Sequence, residues 1–229
     1  MRLVIKVSGE GLSREGEKYS EQALETTAIQ VKKLIDQGNE IALIIGGGNL
    51  FRGRDLGGKF GVKRATADYI GMLATVQNAL VVRDFFESKG MPTVVMSAIP
   101  MQKVCEEYIP RRADKRLKEG KVVIFAGGLG AAYFSTDSCA VQRSLEMGAG
   151  MLIMAKNGVE GIYSADPRSD KTAVFIKNIT ASEVIQKNLN IADFSAMGLA
   201  KEQKLKIKIV ASDKIDRALD PEVGSMIEP

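Results

Sequence analysis

The stretch Glu40-Ile-Ala-Leu-Ile-Ile-Gly-Gly-Gly-Asn-Leu-Phe-Arg-Gly53 joins a short apolar run to three consecutive glycines. Residues 40–45 are rich in isoleucine and leucine, which predicts a buried strand. Glycines directly after a strand let backbone amides approach phosphate oxygens, because no side chain stands between them. Two further loops share this arrangement: Ser8-Gly9 follows residues 3–7, and Gly127-Gly128 with Gly130 follows residues 122–125. Since the carboxyl ends of parallel strands meet at one edge of a sheet, the three loops predict a polyanionic ligand there.

Apolar runs alternate with helical periodicity along the rest of the chain, which predicts a mainly parallel sheet. We expect helices at residues 21–37, 66–88, 111–120 and 136–147, and further strands at 93–96, 151–155 and 207–210. The motif Thr180-Ala-Ser-Glu183 has the form of a capping box and should start another helix. These elements predict an α/β protein, a three-layer α/β/α sandwich, formed by a single domain over residues 1–229.

Composition restricts the chemistry that the chain performs. It has 229 residues, 45% of them hydrophobic and 26% charged, with a net charge of +4 and a pI near 9.0. Lysine and arginine are dispersed among acidic residues, which suits small phosphorylated ligands better than nucleic acid. The absence of histidine excludes activation of a nucleophile by histidine and argues against a transition-metal site. Lysine, arginine, aspartate and backbone amides remain for catalysis.

Cysteine spacing and apolar run length predict the compartment. Cys105 and Cys139 are far apart and lack CxxC spacing, so we expect two buried thiols rather than a disulfide or a zinc site. The first residues lack a signal-peptide pattern, and no apolar run reaches the length of a membrane span. We therefore expect a cytoplasmic protein without membrane or nucleic-acid partners.

The strings around the glycine loops are more specific than the loops themselves, none of which is a Walker A or G-x-G-x-x-G motif. They are Lys6-Val-Ser-Gly-Glu10, Gly46-Gly-Gly-Asn-Leu-Phe-Arg-Gly53, Asp68 with Met72-Leu-Ala-Thr75, Met96-Ser-Ala-Ile-Pro100, Ser135-Thr-Asp137 and Gly158-Val-Glu-Gly-Ile-Tyr-Ser-Ala-Asp-Pro167. Through them nearly the whole chain resembles the bacterial uridylate (UMP) kinases of the amino acid kinase superfamily. The resemblance implies the amino acid kinase fold and conversion of UMP to UDP in pyrimidine nucleotide synthesis, with ATP as co-substrate and Mg²⁺ as cofactor.

Three charged residues are candidates for catalysis: Lys6, Arg52 and Asp137. Lys6 ends an apolar strand directly before a glycine loop, which favours a phosphate contact over a solvated strand end. Arg52 offers a planar fork to phosphate oxygens. The resemblance implies that Lys6 compensates charge on the transferred phosphoryl, that Arg52 lies between the two nucleotides, and that Asp137 organises Mg²⁺ and the lysine. We expect direct in-line transfer without a phosphoenzyme, and the sequence leaves open whether Lys156 takes part.

The resemblance also implies two nucleotide sites. The ATP site would comprise Lys6, Val7, Ser8, Gly9, Gly48, Arg52, Asn157, Tyr163 and Asp166. The UMP site would comprise Gly47, Asp68, Leu129, Gly130, Ala131, Ala132, Tyr133, Phe134, Ser135 and Thr136. Ordinary structural roles remain as alternatives, with Asp68 as a charge in the first turn of a helix, Ser135 as a helix cap and Tyr163 as a core residue. Residues 1–150 would then bind the acceptor and form subunit contacts, and residues 151–229 would bind ATP.

One loop departs from the family pattern. Relatives usually carry Gly-Thr-Gly-Asn-Pro before an aromatic pair, whereas this chain has Gly128-Leu-Gly-Ala-Ala-Tyr-Phe134. The threonine hydroxyl and the asparagine amide, each a hydrogen-bond partner for the acceptor, are lost. The departure leaves the affinity for the acceptor open.

Two other functions remain as alternatives. One is a kinase of the same superfamily that acts on a carboxylate or carbamate, and the string at residues 46–53 together with Asp68 argues against it. The other is a non-catalytic nucleotide-binding protein on the same fold, which the departure at residues 129–132 keeps open.

The expected helix at residues 66–88 is apolar on several faces, which predicts burial in the core or between subunits. Its apolar residues include Tyr69, Met72, Leu73, Val76, Leu80 and Val81. The resemblance implies a homohexamer that pairs through this helix, with GTP and UTP as effectors.

Overall fold

The computed structural model describes residues 1–14, 16–51, 58, 60–189 and 191–229. The strands in these residues are β1 (Arg2–Val7), β2 (Glu40–Ile45), β3 (Thr93–Ser97), β4 (Glu106–Glu107), β5 (Val122–Ala126), β6 (Met151–Lys156), β7 (Ile162–Tyr163), β8 (Phe175–Ile176), β9 (Asn178–Thr180), β10 (Ile207–Ala211) and β11 (Ser225–Glu228). All but β7 and β8 form one sheet in the order β4-β3-β5-β2-β1-β6-β10-β11-β9. Across the described residues of this sheet, every neighbouring pair is parallel except β10 and β11.

Helices cover both faces of the sheet. They are α1 (Glu21–Asp36), α2 (Arg64–Ser88), α3 (Pro110–Lys118), α4 (Thr136–Glu146), α5 (Ala181–Gln186) and α6 (Phe194–Glu202), with short 3₁₀ turns at Gly9–Leu12 and Ile215–Arg217. One core forms between the sheet and α1 and α2, and a second forms between the sheet and α3 to α6. The expected three-layer α/β/α sandwich with a mainly parallel sheet is confirmed.

Strand β1 shows how the sequence divides its side chains between the two layers. Leu3, Ile5 and Val7 belong to the core beneath α1 and α2, whereas Val4 belongs to the core beneath α3 to α6. Successive residues of a strand point to opposite faces, so Lys6 shares the face of Val4. This alternation directs the lysine toward α4.

The structure corrects two expectations, on Asp68 and Cys105, and confirms the capping box. Helix α2 begins at Arg64, so Asp68 lies in its second turn, and the alternative of a first-turn charge is wrong. Cys139 is buried as expected, but Cys105 is only half-buried. The capping box is confirmed, because the hydroxyl of Thr180 accepts from the amide of Glu183 and the Glu183 carboxylate accepts from the amide of Thr180.

A search of the described helices finds none long and apolar enough to cross a membrane.

Candidate active site

A cleft of about 850 Å³ opens at the carboxyl ends of β5, β2 and β1. These strands are neighbours in the sheet, so the loops that follow them meet. The predicted site residues on its wall are Lys6, Ser8, Gly9, Gly47, Gly48, Asp68, Tyr133, Phe134, Ser135 and Thr136. The three glycine loops therefore converge as the sequence predicted, since Gly128 also lines the cleft.

The first two loops pack so closely that a side chain at Gly9 is excluded. A Cβ atom there would lie 2.5 Å from Oδ1 of Asn49 and 2.6 Å from the carbonyl oxygen of Gly46. Real Cβ atoms essentially never approach this closely, and here one contact is backbone. Gly9 therefore allows the loops after β1 and β2 to present their backbones together.

Lys6, on the cleft wall, forms an ion pair with Asp137 in the first turn of α4. Nζ of Lys6 lies 3.0 Å from Oδ1 of Asp137, and the two side chains are 11% and 17% exposed. The contact lacks the geometry of a hydrogen bond, and Oδ1 of Asp137 accepts none from the described residues. The contact is an ion pair, because two opposite charges at this separation attract regardless of the hydrogen-bond angle. The pair places a cation and a carboxylate beside the glycine loops.

Lys156, at the end of β6, adds a second cation to the cleft wall. Its Nζ donates to the carbonyl oxygen of Ile191 at 2.5 Å. Burial lowers the pKa of Lys156 from its usual value, the nearby Asp137 carboxylate opposes that shift, and Lys6 adds to it. The structure thus places both strand-end lysines on the cleft wall, and Lys6 is paired with Asp137.

Asp68 fastens the loop that precedes α4. Its Oδ1 accepts from Nε of Arg64 at 2.9 Å, and its Oδ2 accepts from the amide of Tyr133 at 2.9 Å. Tyr133 has a φ of 73°, a conformation uncommon for an aromatic residue, and this hydrogen bond holds it. Asp68 lines the cleft and also shapes its wall.

Ser135 caps α4, as the structural alternative for it predicted. Its hydroxyl accepts from the amides of Asp137 and Ser138 at 3.0 and 3.1 Å. The same hydroxyl donates to the carboxylate of Asp193, which also accepts from the hydroxyl of Ser138 at 3.0 Å and from the amide of Ala196 at 2.7 Å. One carboxylate therefore ties the first turn of α4 to the first turn of α6.

Comparison with known proteins assigns the chain to a family. The model of the Amino acid kinase family matches residues 1–211. The chain belongs to the amino acid kinase family. It is 42% identical to "Uridylate kinase" of Streptomyces avermitilis, covering 99% of this chain and 91% of that one. It is 41% identical to "Uridylate kinase" of Limosilactobacillus reuteri, covering 99% and 96%.

Solved structures agree with this assignment. The UMP kinase from Bacillus anthracis superposes with a TM-score of 0.95 at 35% identity, covering 99% of this chain and 95% of that chain. The UMP kinase from Ureaplasma parvum superposes with a TM-score of 0.92 at 30% identity, covering 100% and 98%. The amino acid kinase fold therefore extends over the whole chain.

A second cavity, about 540 Å³, lies beyond β6 and is lined in part by Tyr163. The ring of Tyr163 packs edge-on against Phe175 with 5.4 Å between centroids, so it is partly a packing residue. Nδ2 of Asn157 donates to the hydroxyl of Ser8 at 3.2 Å, which links this region to the first glycine loop. Hydrogen bonds from Arg168 hold the pKa of Asp166 below its usual value.

The remaining predicted residues lie away from the wall of the main cleft or outside the described residues. Val7 is buried in the core, and Leu129 packs against the core beneath α3 to α6. The carbonyl oxygen of Gly130 accepts from the hydroxyl of Tyr69 at 3.4 Å, and Ala131 and Ala132 are half-buried. Arg52 is outside the described residues.

Proposed function

We propose that this chain is an ATP-dependent UMP kinase that transfers the γ-phosphoryl group of ATP to UMP, forming UDP for pyrimidine nucleotide synthesis. The observation that carries the proposal is the Lys6–Asp137 ion pair beside three convergent glycine loops. The choice of UMP as the acceptor is supported by the uridylate kinases that are 42% and 41% identical over nearly the whole chain.

The chemistry follows from charge. In a loose transition state for phosphoryl transfer, negative charge spreads over the peripheral oxygens, and little covalent chemistry is asked of the protein. The Lys6 ammonium and the amides of the Gly9 and Gly47 loops act on those oxygens by positioning and neutralisation. Asp137 holds the ammonium of Lys6 in place. Transfer is direct and in-line, and Arg52 would add a bidentate contact between the nucleotides.

We assign each nucleotide to one of the two cavities. The main cleft has room for UMP and the transferred phosphate, with Asp68 and residues 133–136 on the acceptor side. The second cavity, lined in part by Tyr163 and Arg168, would take the base and ribose of ATP. Asp166 accepts from Arg168 at its edge, and Asn157 donates to the hydroxyl of Ser8 in the first glycine loop. In this proposal residues 1–150 mainly bind the acceptor, with Lys6, Ser8 and Gly9 also facing the phosphates of ATP, and residues 151–229 mainly bind ATP.

The residues present fit Mg²⁺ bound mainly through the nucleotide. Within the described residues, no group of three or more aspartate, glutamate or cysteine side chains could hold a metal by itself. Mg²⁺ commonly uses one or two carboxylates together with substrate phosphates, and Oδ1 of Asp137 accepts no hydrogen bond from the residues that the structure describes. Asp137 would hold the ion, which would neutralise phosphate charge.

An assay of ADP release tests the proposal. The purified chain is incubated with ATP and Mg²⁺ and with UMP, CMP, dCMP or acetylglutamate in turn. We expect ADP release that depends on UMP, with UDP as the product. Release only with acetylglutamate would indicate a carboxylate kinase, and nucleotide binding without ADP release would indicate a non-catalytic protein; either result contradicts the proposal.

A further inference from the structure

Helix α2 carries two buried polar residues on its inner face. Asn78 is completely buried and Thr75 is 8% exposed. Both lie in the middle of the helix, so neither polar side chain serves as a helix cap. They are three residues apart, so they lie on the same face, separated by about 4.5 Å along the axis. Each reaches a different glycine loop.

Asn78 holds the loop after β2. Its Nδ2 donates to the carbonyl oxygen of Gly46 and to Oδ1 of Asn49, both at 2.7 Å. Asn49 donates in return to Oδ1 of Asn78 at 3.3 Å and to the carbonyl oxygen of Lys18 at 2.8 Å. Within the part of the chain that the structure describes, both polar atoms of the Asn78 side-chain amide therefore bond to the loop after β2, at Gly46 and Asn49.

Thr75 holds the loop after β5. Its hydroxyl accepts from the amide of Gly127 at 2.9 Å and donates to the carbonyl oxygen of Met72 at 2.6 Å. The hydrogen bond to Met72 fixes the direction of the hydroxyl proton, so a lone pair of the hydroxyl oxygen faces the amide of Gly127. A helix side chain therefore sets the position of a loop backbone.

Close contacts hold both loops against the same stretch of α2. A Cβ at Gly47 would lie 2.9 Å from the carbonyl oxygen of Gly71 and 2.9 Å from Cβ of Ala74. A Cβ at Gly128 would lie 3.3 Å from Cγ of Met72. Gly47 therefore packs against the backbone of α2, and Gly128 packs against the side chain of Met72 on the same helix.

We propose that Thr75 and Asn78 are positioning residues that fix the two glycine loops relative to each other for phosphoryl transfer. This inference rests on the proposed function. The loop after β2 borders the transferred phosphate, and the loop after β5 borders the acceptor. Transfer depends on alignment of these groups within a fraction of an ångström, and the single turn of α2 between Thr75 and Asn78 supplies that alignment.

Thr75→Val and Thr75→Ser form a matched pair for the test. Valine keeps the shape of threonine and removes the hydroxyl, whereas serine keeps the hydroxyl. We expect Thr75→Val to lower kcat/KM for UMP about 10-fold and to leave KM for ATP within about twofold, because the Gly127 loop serves the acceptor. Thr75→Ser should retain most of the wild-type value. Unchanged kinetics in folded Thr75→Val would overturn the proposal.

Amide hydrogen exchange at Gly127 gives a readout that does not depend on activity. We expect exchange at this amide to be faster in Thr75→Val than in wild type and close to wild type in Thr75→Ser. If wild type does not phosphorylate UMP but Gly127 exchanges faster in Thr75→Val alone, the proposed function is wrong and the positioning of the Gly127 loop by Thr75 is supported. If exchange at Gly127 is the same in all three proteins, Thr75 does not position this loop and the proposal is refuted.

Asn49 offers a second variant, because Asn78 is so deeply buried that its replacement could prevent folding. Asn49→Ala removes half of the amide pair from a half-buried position. We expect kcat to fall about 10-fold with a smaller change in KM for UMP, since the β2 loop borders the transferred phosphate. A lowered Tm with wild-type kcat and KM would make the pair purely structural and would overturn the assignment.

Discussion

Lys6 and Asp137 lie 3.0 Å apart near the cleft, and each depends on the other for its charge to be tolerated there. Removing one partner leaves the second charge partly buried and uncompensated. The same change removes the cation, or the group that holds it, from the position where negative charge spreads in the transition state. The pair is thus the most sensitive point of the proposed mechanism.

We expect Lys6→Ala and Asp137→Asn each to lower kcat for UDP formation by about 10²-fold or more. The fold should persist, because strand β1 keeps its apolar residues in both cores. Steady-state kinetics with circular dichroism measure both quantities. Lys32→Ala, which removes an exposed lysine paired with Asp36, is the matched control and should keep normal turnover. Near-normal turnover in both site variants would remove them from the catalytic mechanism.

The sequence predicts the position of some cleft residues and gives little signal for others, for a physical reason. Lys6 was predictable because a lysine at the end of an apolar strand before a glycine loop is unusual. Lys156 has the same pattern, yet only the fold shows that it shares the cleft wall with Lys6. Asp193 gave only the weak signal of a helix cap, since its partners Ser135 and Ser138 are more than 50 residues away. Contacts across such distances are not encoded in local spacing.

The departure at residues 129–132 yields a prediction about acceptor affinity. Restoring threonine at Leu129 and asparagine at Ala131 should tighten UMP binding by about 1 kcal/mol per recovered hydrogen bond, with much smaller changes for ATP. Isothermal titration with UMP measures the effect. Because Leu129 packs against the core, the single variant Ala131→Asn should bind more tightly without the loss of stability that Leu129→Thr brings. Unchanged UMP affinity in the double variant would show that this loop does not contact the acceptor.

At the scale of elements, the long periodic segments were predicted well and the short ones were not. Helix α1 ends one residue before the expected boundary, and β2 has the expected bounds. The sequence does not predict β4, β7, β8, β9 or β11, which have two to four residues, nor the nine-residue helix α6. Such strands exist because a neighbouring strand offers hydrogen bonds, which periodicity does not reveal.

Asp193 joins two helices, and this yields a prediction about stability. Asp193→Ala should lose the cap of α6 and the bonds to Ser135 and Ser138, lowering the free energy of unfolding by about 1–3 kcal/mol. Because Asp137 lies in the first turn of α4, kcat should fall as well. Urea titration and kinetics measure the two effects. Asp193→Asn keeps an oxygen for the amide of Ala196 and should lose much less; equal losses in both variants would contradict a capping role.

At the scale of the whole molecule, α2 faces two ways. Its inner side contributes Val76, Val82 and Phe86 to the core, each at most 3% exposed. Its outer side leaves Tyr69 43% and Leu73 39% exposed. The expectation that the helix is apolar on several faces agrees with this distribution. Val76, however, is buried within its own chain, so a charge at Val76 would disrupt the core rather than a contact between subunits.

We propose that the exposed side of α2 pairs with a second copy of the chain and that the protein forms a hexamer, with GTP and UTP as effectors. Tyr69 and Leu73 are four residues apart and therefore adjacent on one face. The hydroxyl of Tyr69 donates to the carbonyl oxygen of Gly130, so this face borders the acceptor loop. Loss of the contact should therefore lower activity.

Leu73→Asp tests this assembly, because burying an unpaired carboxylate between subunits is strongly unfavourable whereas an exposed one in a monomer costs little. Light scattering should give about six times the 24.8 kDa of the chain for wild type and a smaller species for Leu73→Asp, with kcat reduced in parallel. Ile29→Asp is the matched control, since Ile29 is an exposed apolar residue on α1, 48% exposed, and its change should leave the mass and kcat intact. A wild-type mass near 24.8 kDa at micromolar concentration would end the hypothesis. A hexamer that Leu73→Asp leaves intact would move the contact to another surface.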